Sequence, residues 1–314
     1  MRIQLFSDET KAIYLNFLIT TYIWGTPGAC RLFNKEISDL VNKNQIALGG
    51  NFTSFHANRL GINNWHKISK YYLQVLKIFF KYIEKNMFRS LIYIESNEKR
   101  AGAWNILEGE IKRLMINSQP SKLNYIFSEL DPSTRSAIIK SSIIISGYIL
   151  NMHFFGDDLE IEYYPDASGN IIRLRTKKLF LKSPTFLGRQ ATFSCYEIIK
   201  MIMNILGPNF QRLRLNARRF PVVNHRITNF EPIKAKQSFI IQAADIISNY
   251  FYNMIQFVAG ERKEIVRRKA LTLLGFDAFR RNISNFKDNF VLKNGIPYCV
   301  NPKMEARLKL FVES

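Results

Sequence analysis

The sequence predicts an α/β protein in which a mixed β-sheet is flanked by helices, with helical insertions and a C-terminal extension. Three observations predict it. Strand-like runs rich in β-branched and aromatic residues open the chain and recur further along it. Segments with apolar residues at helical spacing lie between and after them. Short Gly- or Pro-marked turns punctuate the whole, without an internal repeat, a low-complexity tract or a linker. Strands first, then strands alternating with helices, imply a mixed sheet carrying helices on its faces.

In chain order, Met1 to Phe6 reads as a strand that ends in a charged turn at Ser7, Asp8 and Glu9, and Ala12 to Trp24 as a second strand. Lys67 to Lys85 is the clearest helix: Ile68, Tyr72, Val75, Leu76, Phe79 and Ile83 share one face, and the lysines lie elsewhere. Ser90 to Ile94 is a buried strand ending at Glu95. Helices are expected over Ala101 to Ile116 and Ser133 to Leu150. Leu159 to Tyr164 alternates as a strand, Pro165 to Asn170 is a turn, and Ile171 to Arg175 is a returning arm. A helix over Ser194 to Leu206 is closed by Gly207-Pro208, and a short strand follows at Arg212 to Asn216. Ser238 to Val258 is a long helix with Asp245 in its first half. Glu264 to Leu274 is another, ended by Gly275.

The chain has 314 residues, of which 47% are apolar and 13% aromatic, so it buries a sizeable core. Lys and Arg number 45 against 25 Asp and Glu, a formal charge of +20. Such an excess repels itself in the compact state and favours a polyanionic partner, with phosphate backbones the commonest. An anionic membrane surface is the competing reading. Its best insertion candidate, Ala137 to Leu150, is interrupted by Lys140 and is shorter than the roughly 20 residues a span needs. Cys30, Cys195 and Cys299 show neither a disulfide framework nor zinc spacing, and the opening MRIQLFSDETK reaches acidic residues before an apolar signal core could form, which points to a cytoplasmic protein. There is no phosphate-cradling glycine loop and no GxSxG elbow.

Several carboxylates stand at predicted strand ends or just beyond them: Asp8 with Glu9, Glu95, and Asp166. Strand ends of an α/β sheet gather side chains from distant parts of the chain. Asp245 lies within the apolar helical stretch Phe239 to Ile247, where a charge is costly unless it is paired or bound to metal. Hard dications prefer such oxygen ligands and, in pairs, drive phosphodiester cleavage. Each acid also has an ordinary role open to it. Glu95 reads as a solvated loop residue, Asp166 as a turn former, Asp8 as a cap, and Asp245 as half of a buried ion pair.

Together these segments resemble a family. RIQLFSDET resembles the opening strand and Asp-Glu-Ser of the RNase H-like proteins catalogued as domain of unknown function 3800. TSFHANRLG resembles that family's Glu-Leu-His-Ala element, LEIEYYPDAS its later strand ending in Asp, and FIIQAADIISNYFYNM its late helix with an Ala-Asp pair. The resemblance runs in family order from Asp8 to about Tyr252. It implies an RNase H-like domain over residues 1–258, with a helical insertion at about 101–150 and a basic helical extension over 259–314. By position it implies Asp8, Asp166 and Asp245 as ligands of Mg²⁺ or Mn²⁺, Glu9 as adjacent support, and His56 as a polar group placing a phosphate or a water. The departure is Ser54, which stands where the family has Glu; a hydroxyl does not supply a carboxylate's charge.

Basic residues concentrate in the second half. Arg173, Arg175, Lys177, Lys178 and Lys182 form one run. Arg212, Arg214, Arg218, Arg219, His225 and Arg226 form another, interleaved with Phe210 and Phe220. Arginines among aromatics suit backbone contact and base stacking, which favours RNA or single strands. A third cluster, Arg262, Lys263, Arg267, Arg268 and Lys269, followed by Arg280 and Arg281, reads as the solvated side of a helix. The expectation is a metal-dependent nuclease. The alternative is a nucleic-acid-binding subunit of a larger ribonucleoprotein or defence complex, which keeps the fold but has lost full metal ligation.

Overall fold

The computed structural model describes residues 1–12, 17–49, 52, 54–96, 158–167, 179–181, 191–193, 195–210, 224–258, 260–283, 291–293 and 296–298, together with 135, 138–139, 141–142, 145 and 149. The helix expected over Ala101 to Ile116, the arm at Ile171 to Arg175 and the strand at Arg212 to Asn216 lie outside these residues.

The frame is a five-stranded sheet. Strand β1 (Arg2–Ala12) lies at its centre between β2 (Phe17–Gly25) and β4 (Leu159–Pro165). Strand β3 (Phe88–Ser96) is the edge beyond β2, and β7 (His225–Phe230) the edge beyond β4. β2 runs antiparallel to β1 and β3, whereas β1, β4 and β7 are mutually parallel, so β2 alone opposes the other four. The short ribbons β5 (Leu179–Leu181) with β6 (Ala191–Phe193), and β8 (Val291–Lys293) with β9 (Ile296–Tyr298), are separate. Gly25 ends β2 under the ring of Phe88: a Cβ there would stand 2.6 Å from Phe88 Cδ1 and 2.8 Å from the Met87 carbonyl.

Strand alternation sends Phe6, Asp8, Ile19, Thr21, Ile23 and Tyr164 to one face. That face is covered by helices α1 (Pro27–Lys43), α3 (Trp65–Glu84) and α5 (Phe239–Val258), with the short α2 (Gln45–Leu48) after α1. α1 starts at Thr26, whose hydroxyl accepts from Ala29 N at 3.3 Å, with Pro27 in its first turn. Ala29, Cys30, Phe33 and Ile37 form its buried stripe. Phe33 meets Tyr82 of α3 and Phe88 of β3 at centroid distances of 5.4 and 5.2 Å. On the opposite face Tyr22, Tyr93 and Tyr163 are buried. Helix α4 (Cys195–Phe210) packs there beside β7, and its Asn204 side chain bonds both the N–H and the carbonyl of Ile227. The described residues between 135 and 149 are helical, with Ile138, Ile139, Ile145 and Ile149 buried.

α6 (Glu264–Leu274) and α7 (Asp277–Ile283) bury Ala270, Leu273, Ala278 and Phe279 in the same core as α5. Through Phe279, then, the segment read as an extension is continuous with the main core. No helix among the described residues is long and apolar enough to cross a membrane.

Three expectations are corrected. β1 does not end before Ser7 but continues to Ala12, because its pairing with β2 runs unbroken from Gln4↔Gly25 to Ala12↔Phe17. The polar Ser7-Asp8-Glu9 run is therefore mid-strand, its backbone satisfied by the ladder. α4 is not closed by Gly207-Pro208 but continues to Phe210, with Pro208 in its last turn, where it donates no N–H to the carbonyl four residues before it. Asp166 is not in a free turn. Its N–H donates to the Ser7 carbonyl at 2.8 Å, and it forms a parallel bridge with Ile233.

Candidate carboxylate site

Three backbone relationships assemble the site. Ser7 pairs with Pro165, and Asp166 N–H bonds Ser7, so Asp8 and Asp166 are neighbours on adjacent parallel strands. They share a face, since Asp166 continues the alternation of Glu162 and Tyr164. Helix α5 crosses that face: Ser248 Oγ donates to Thr21 Oγ1 at 2.7 Å, close to the Asp8 carbonyl. Asp245 lies three residues earlier on α5, one turn away on the same side.

Asp8 is 8% exposed and Asp166 6% exposed. The Asp8 carboxyl is pushed well above the usual carboxylate range, first by burial, then by the negative charges of Asp245 and Asp166. Its Oδ1 accepts from Glu9 N–H at 2.7 Å, which opposes the shift. Asp245 Oδ2 accepts from Ala57 N–H at 3.0 Å and stands 3.7 Å from His56 Nδ1. Asp8, Asp166, Asp245 and half-buried His56, drawn from four parts of the chain, thus gather at one place.

The other expected residues do not gather there. Glu9 follows Asp8 in a strand and so projects to the opposite face, where its charge acts on buried Tyr22 and Tyr163. Glu95 pairs with Leu18, and Leu18 with Lys11. Its backbone therefore stands two strands from β1, about 10 Å, and three residues beyond the level of Asp8. Arg173, Arg175, Lys177, Lys178, Arg212, Arg214, Arg218 and Arg219 lie outside the described residues. Arg226 is exposed on β7 opposite Glu160, six residues and so about 20 Å along the sheet from Asp166. Ser54 is buried, 2% exposed, just ahead of the segment that holds His56.

Sequence reasoning found Asp245 but missed the neutral amides that build the wall beside it. Gln242, Asp245 and Asn249 lie on one side of α5, and each bonds the 55–58 segment. Gln242 Oε1 takes Phe55 N–H at 2.8 Å, and Asn249 Nδ2 reaches Asn58 Oδ1 at 3.0 Å. Lys269, assigned from sequence to a solvated face, is 5% exposed, while Lys263 and Arg267 beside it are exposed as expected. Its spacing with Val266, Ala270 and Leu273 is that of a buried stripe, a signal outweighed by its charge.

The donor chemistry fits a hard dication: carboxylate oxygens from two neighbouring strands and a helix, one of them held in an unfavourable field of like charge that a cation would reverse. Among the described residues, no three His, Cys, Asp or Glu stand in a ready-made metal cluster. Comparison with family models, curated proteins and solved structures finds no match.

Proposed function

We propose that the chain is a divalent-metal-dependent nuclease of RNase H-like architecture, acting on RNA or single-stranded nucleic acid. The observation that carries this reading is that buried Asp8 and Asp166 are neighbours on adjacent strands beneath the helix that carries Asp245; the Asp8 carboxyl is raised by burial and then by the charges of Asp245 and Asp166. Like charges drawn together from remote segments into a buried place cost stability and are typical of sites rather than scaffolds. The sheet, with β2 alone antiparallel, supports the architectural part. The net charge of +20 supports a phosphate-rich substrate.

Asp8, Asp166 and Asp245 would hold Mg²⁺ or Mn²⁺, which when bound would activate a water and steady the leaving oxygen. The chain's own groups orient the site: Ala57 N–H fixes one oxygen of Asp245, and Glu9 N–H fixes one of Asp8.

The test is cleavage of labelled single-stranded RNA and DNA with Mg²⁺, Mn²⁺ or EDTA, comparing wild type with Asp245→Asn. Metal-dependent cutting that the substitution abolishes is expected; cutting that survives it, or that persists in EDTA, refutes the assignment. A second reading, a binding subunit with degraded ligation, is supported by Ser54, a buried hydroxyl where the resemblance implies a Glu. Salt-sensitive binding without cutting under either metal would select it.

A further inference from the structure

The segment from Ser54 to Leu60 is bolted down along its inner side. Beyond the bonds from Gln242, Asp245 and Asn249, the His56 carbonyl accepts from Tyr72 Oη at 2.8 Å and the Ala57 carbonyl from Lys269 Nζ at 3.0 Å. Ser54, Phe55, Ala57 and Leu60 are buried, whereas Asn58 and Arg59 are exposed. A tight 3-10 turn over Ala57–Arg59 is therefore fixed on one side and presents Arg59 on the other.

Arg59 stands at the rim of the carboxylate site. It lies two residues past Ala57, whose N–H is bonded to Asp245. The Tyr72 hydroxyl registers both charges, Asp245 raising it and Arg59 lowering it. Among the described residues the Arg59 guanidinium makes no ion pair. An exposed arginine, unpaired among the described residues and carried on the turn that bonds one of the carboxylates, is placed to offset their repulsion of an incoming phosphodiester and to fork onto its oxygens.

Lys269 is the unusual member of the clamp. Burying an ammonium is costly, and leucine or methionine would complete the stripe of Val266, Ala270 and Leu273. Its partners among the described residues are neutral oxygens, Ala57 O and Asn249 Oδ1 at 2.9 Å, with the Tyr250 ring 5.7 Å away. Burial draws its pKa down to about 8, with the Asp245 charge acting in the other direction. What the lysine contributes is its reach to the turn that carries Arg59.

We propose that Arg59 is a phosphate-contacting residue of the carboxylate site and that buried Lys269 is the positioning residue that holds its turn in place; this rests on the nucleic-acid reading above. The experiment is fluorescence anisotropy of a fluorescein-labelled single-stranded RNA with the full chain in EDTA, over a salt series. Arg59→Ala is expected to weaken binding about tenfold, the worth of one charge-assisted contact. It should also flatten the log–log salt dependence by about 0.7, the share of one phosphate on a single strand.

Lys269→Met is expected to weaken binding likewise, and adding Arg59→Ala to it should then change little; Lys269→Arg should recover most of the loss. If Lys269→Met does not fold, Lys269→Gln enters the same cycle. Wild-type affinity and slope in Arg59→Ala, or no binding by the wild type, overturns the proposal. Fully additive effects in the double variant overturn the role of Lys269, since a merely structural lysine would not couple to Arg59. RNA that is bound through Arg59 but never cut with Mg²⁺ or Mn²⁺ would sink the nuclease reading and leave this assignment standing.

Discussion

Replacing Asp8 by asparagine is expected to stabilise the metal-free protein. The Asp8 and Asp166 side chains stand on one face of neighbouring strands, whose spacing of about 5 Å sets the scale of their charge separation. At an effective dielectric near 20, two unit charges at that separation repel by about 3 kcal/mol. Asp8 relieves part of this by holding its proton, so the gain on neutralisation falls between about 1 and 3 kcal/mol. The amide keeps an oxygen to accept the Glu9 N–H, so little else is lost. Unfolding entropy of about 2.1 cal/mol/K per residue over 314 residues converts this to a rise of about 2–5 °C in Tm.

The assay is calorimetry at pH 7 in EDTA. The sign with pH is fixed by the raised folded pKa. Below the unfolded value, near 3.9, both states hold the proton and the two proteins differ little. From there up to the folded value the penalty on wild type grows and the variant pulls ahead; above the folded value the gap is constant. Added Mg²⁺ or Mn²⁺ should raise the Tm of wild type more than that of the variant. A variant less stable than wild type in EDTA at pH 7 would refute the reasoning, because Asp8 would then be a net structural asset.

Two other perturbations follow from the same wall. Gln242 is 1% exposed and bonds Phe55 N–H and the Ala235 carbonyl; Gln242→Leu leaves the buried Phe55 N–H without its partner, while the Ala235 carbonyl keeps the Ser238 N–H. The expected loss is about 1–3 kcal/mol in urea unfolding, and a loss under about 0.5 kcal/mol would mean the N–H finds another partner. Lys269, lowered to about 8, is a base whose charged form the fold disfavours, so its unfolded state binds more protons between pH 8 and 10.5. Wild type should therefore gain on Lys269→Met by about 3 kcal/mol across that interval, read by unfolding at stepped pH; a gap that stays flat would refute the burial argument.

Much of the frame was legible because it rests on local periodicity. The stripes of α3 and α5 and the alternation of β4 appear in the structure within a few residues of their expected ends. Asp245 stood out as a charge within an apolar helix, and Asp8 and Asp166 as acids near strand ends. What misled was polarity read as position. Ser7, Asp8 and Glu9 look like a turn, yet a hairpin ladder satisfies their backbone and leaves only alternate side chains to be accommodated. Thr26-Pro27 carried a helix-start signature that went unused. The partnerships of Gln242 with Phe55 and of Asn249 with Asn58 span 187 and 191 residues; a neutral amide at helical spacing gives no sign of which distant group it will meet.

Adjacent carboxylates on β1 face two different environments, Asp8 beneath α5 and Glu9 among the tyrosines of the opposite face. A strand's side chains change sides with every residue, so a one-residue slip of β1 against β2 and β4 would exchange them. Glu9 would then be thrust beneath α5 and Asp8 among the phenols, and Phe6 and Leu5 would trade places with them. The hydrophobic pattern that forbids this slip thereby also chooses which acid faces the helix. Correct folding of the hairpin and correct chemistry of the site are one decision, made when β1 finds its register.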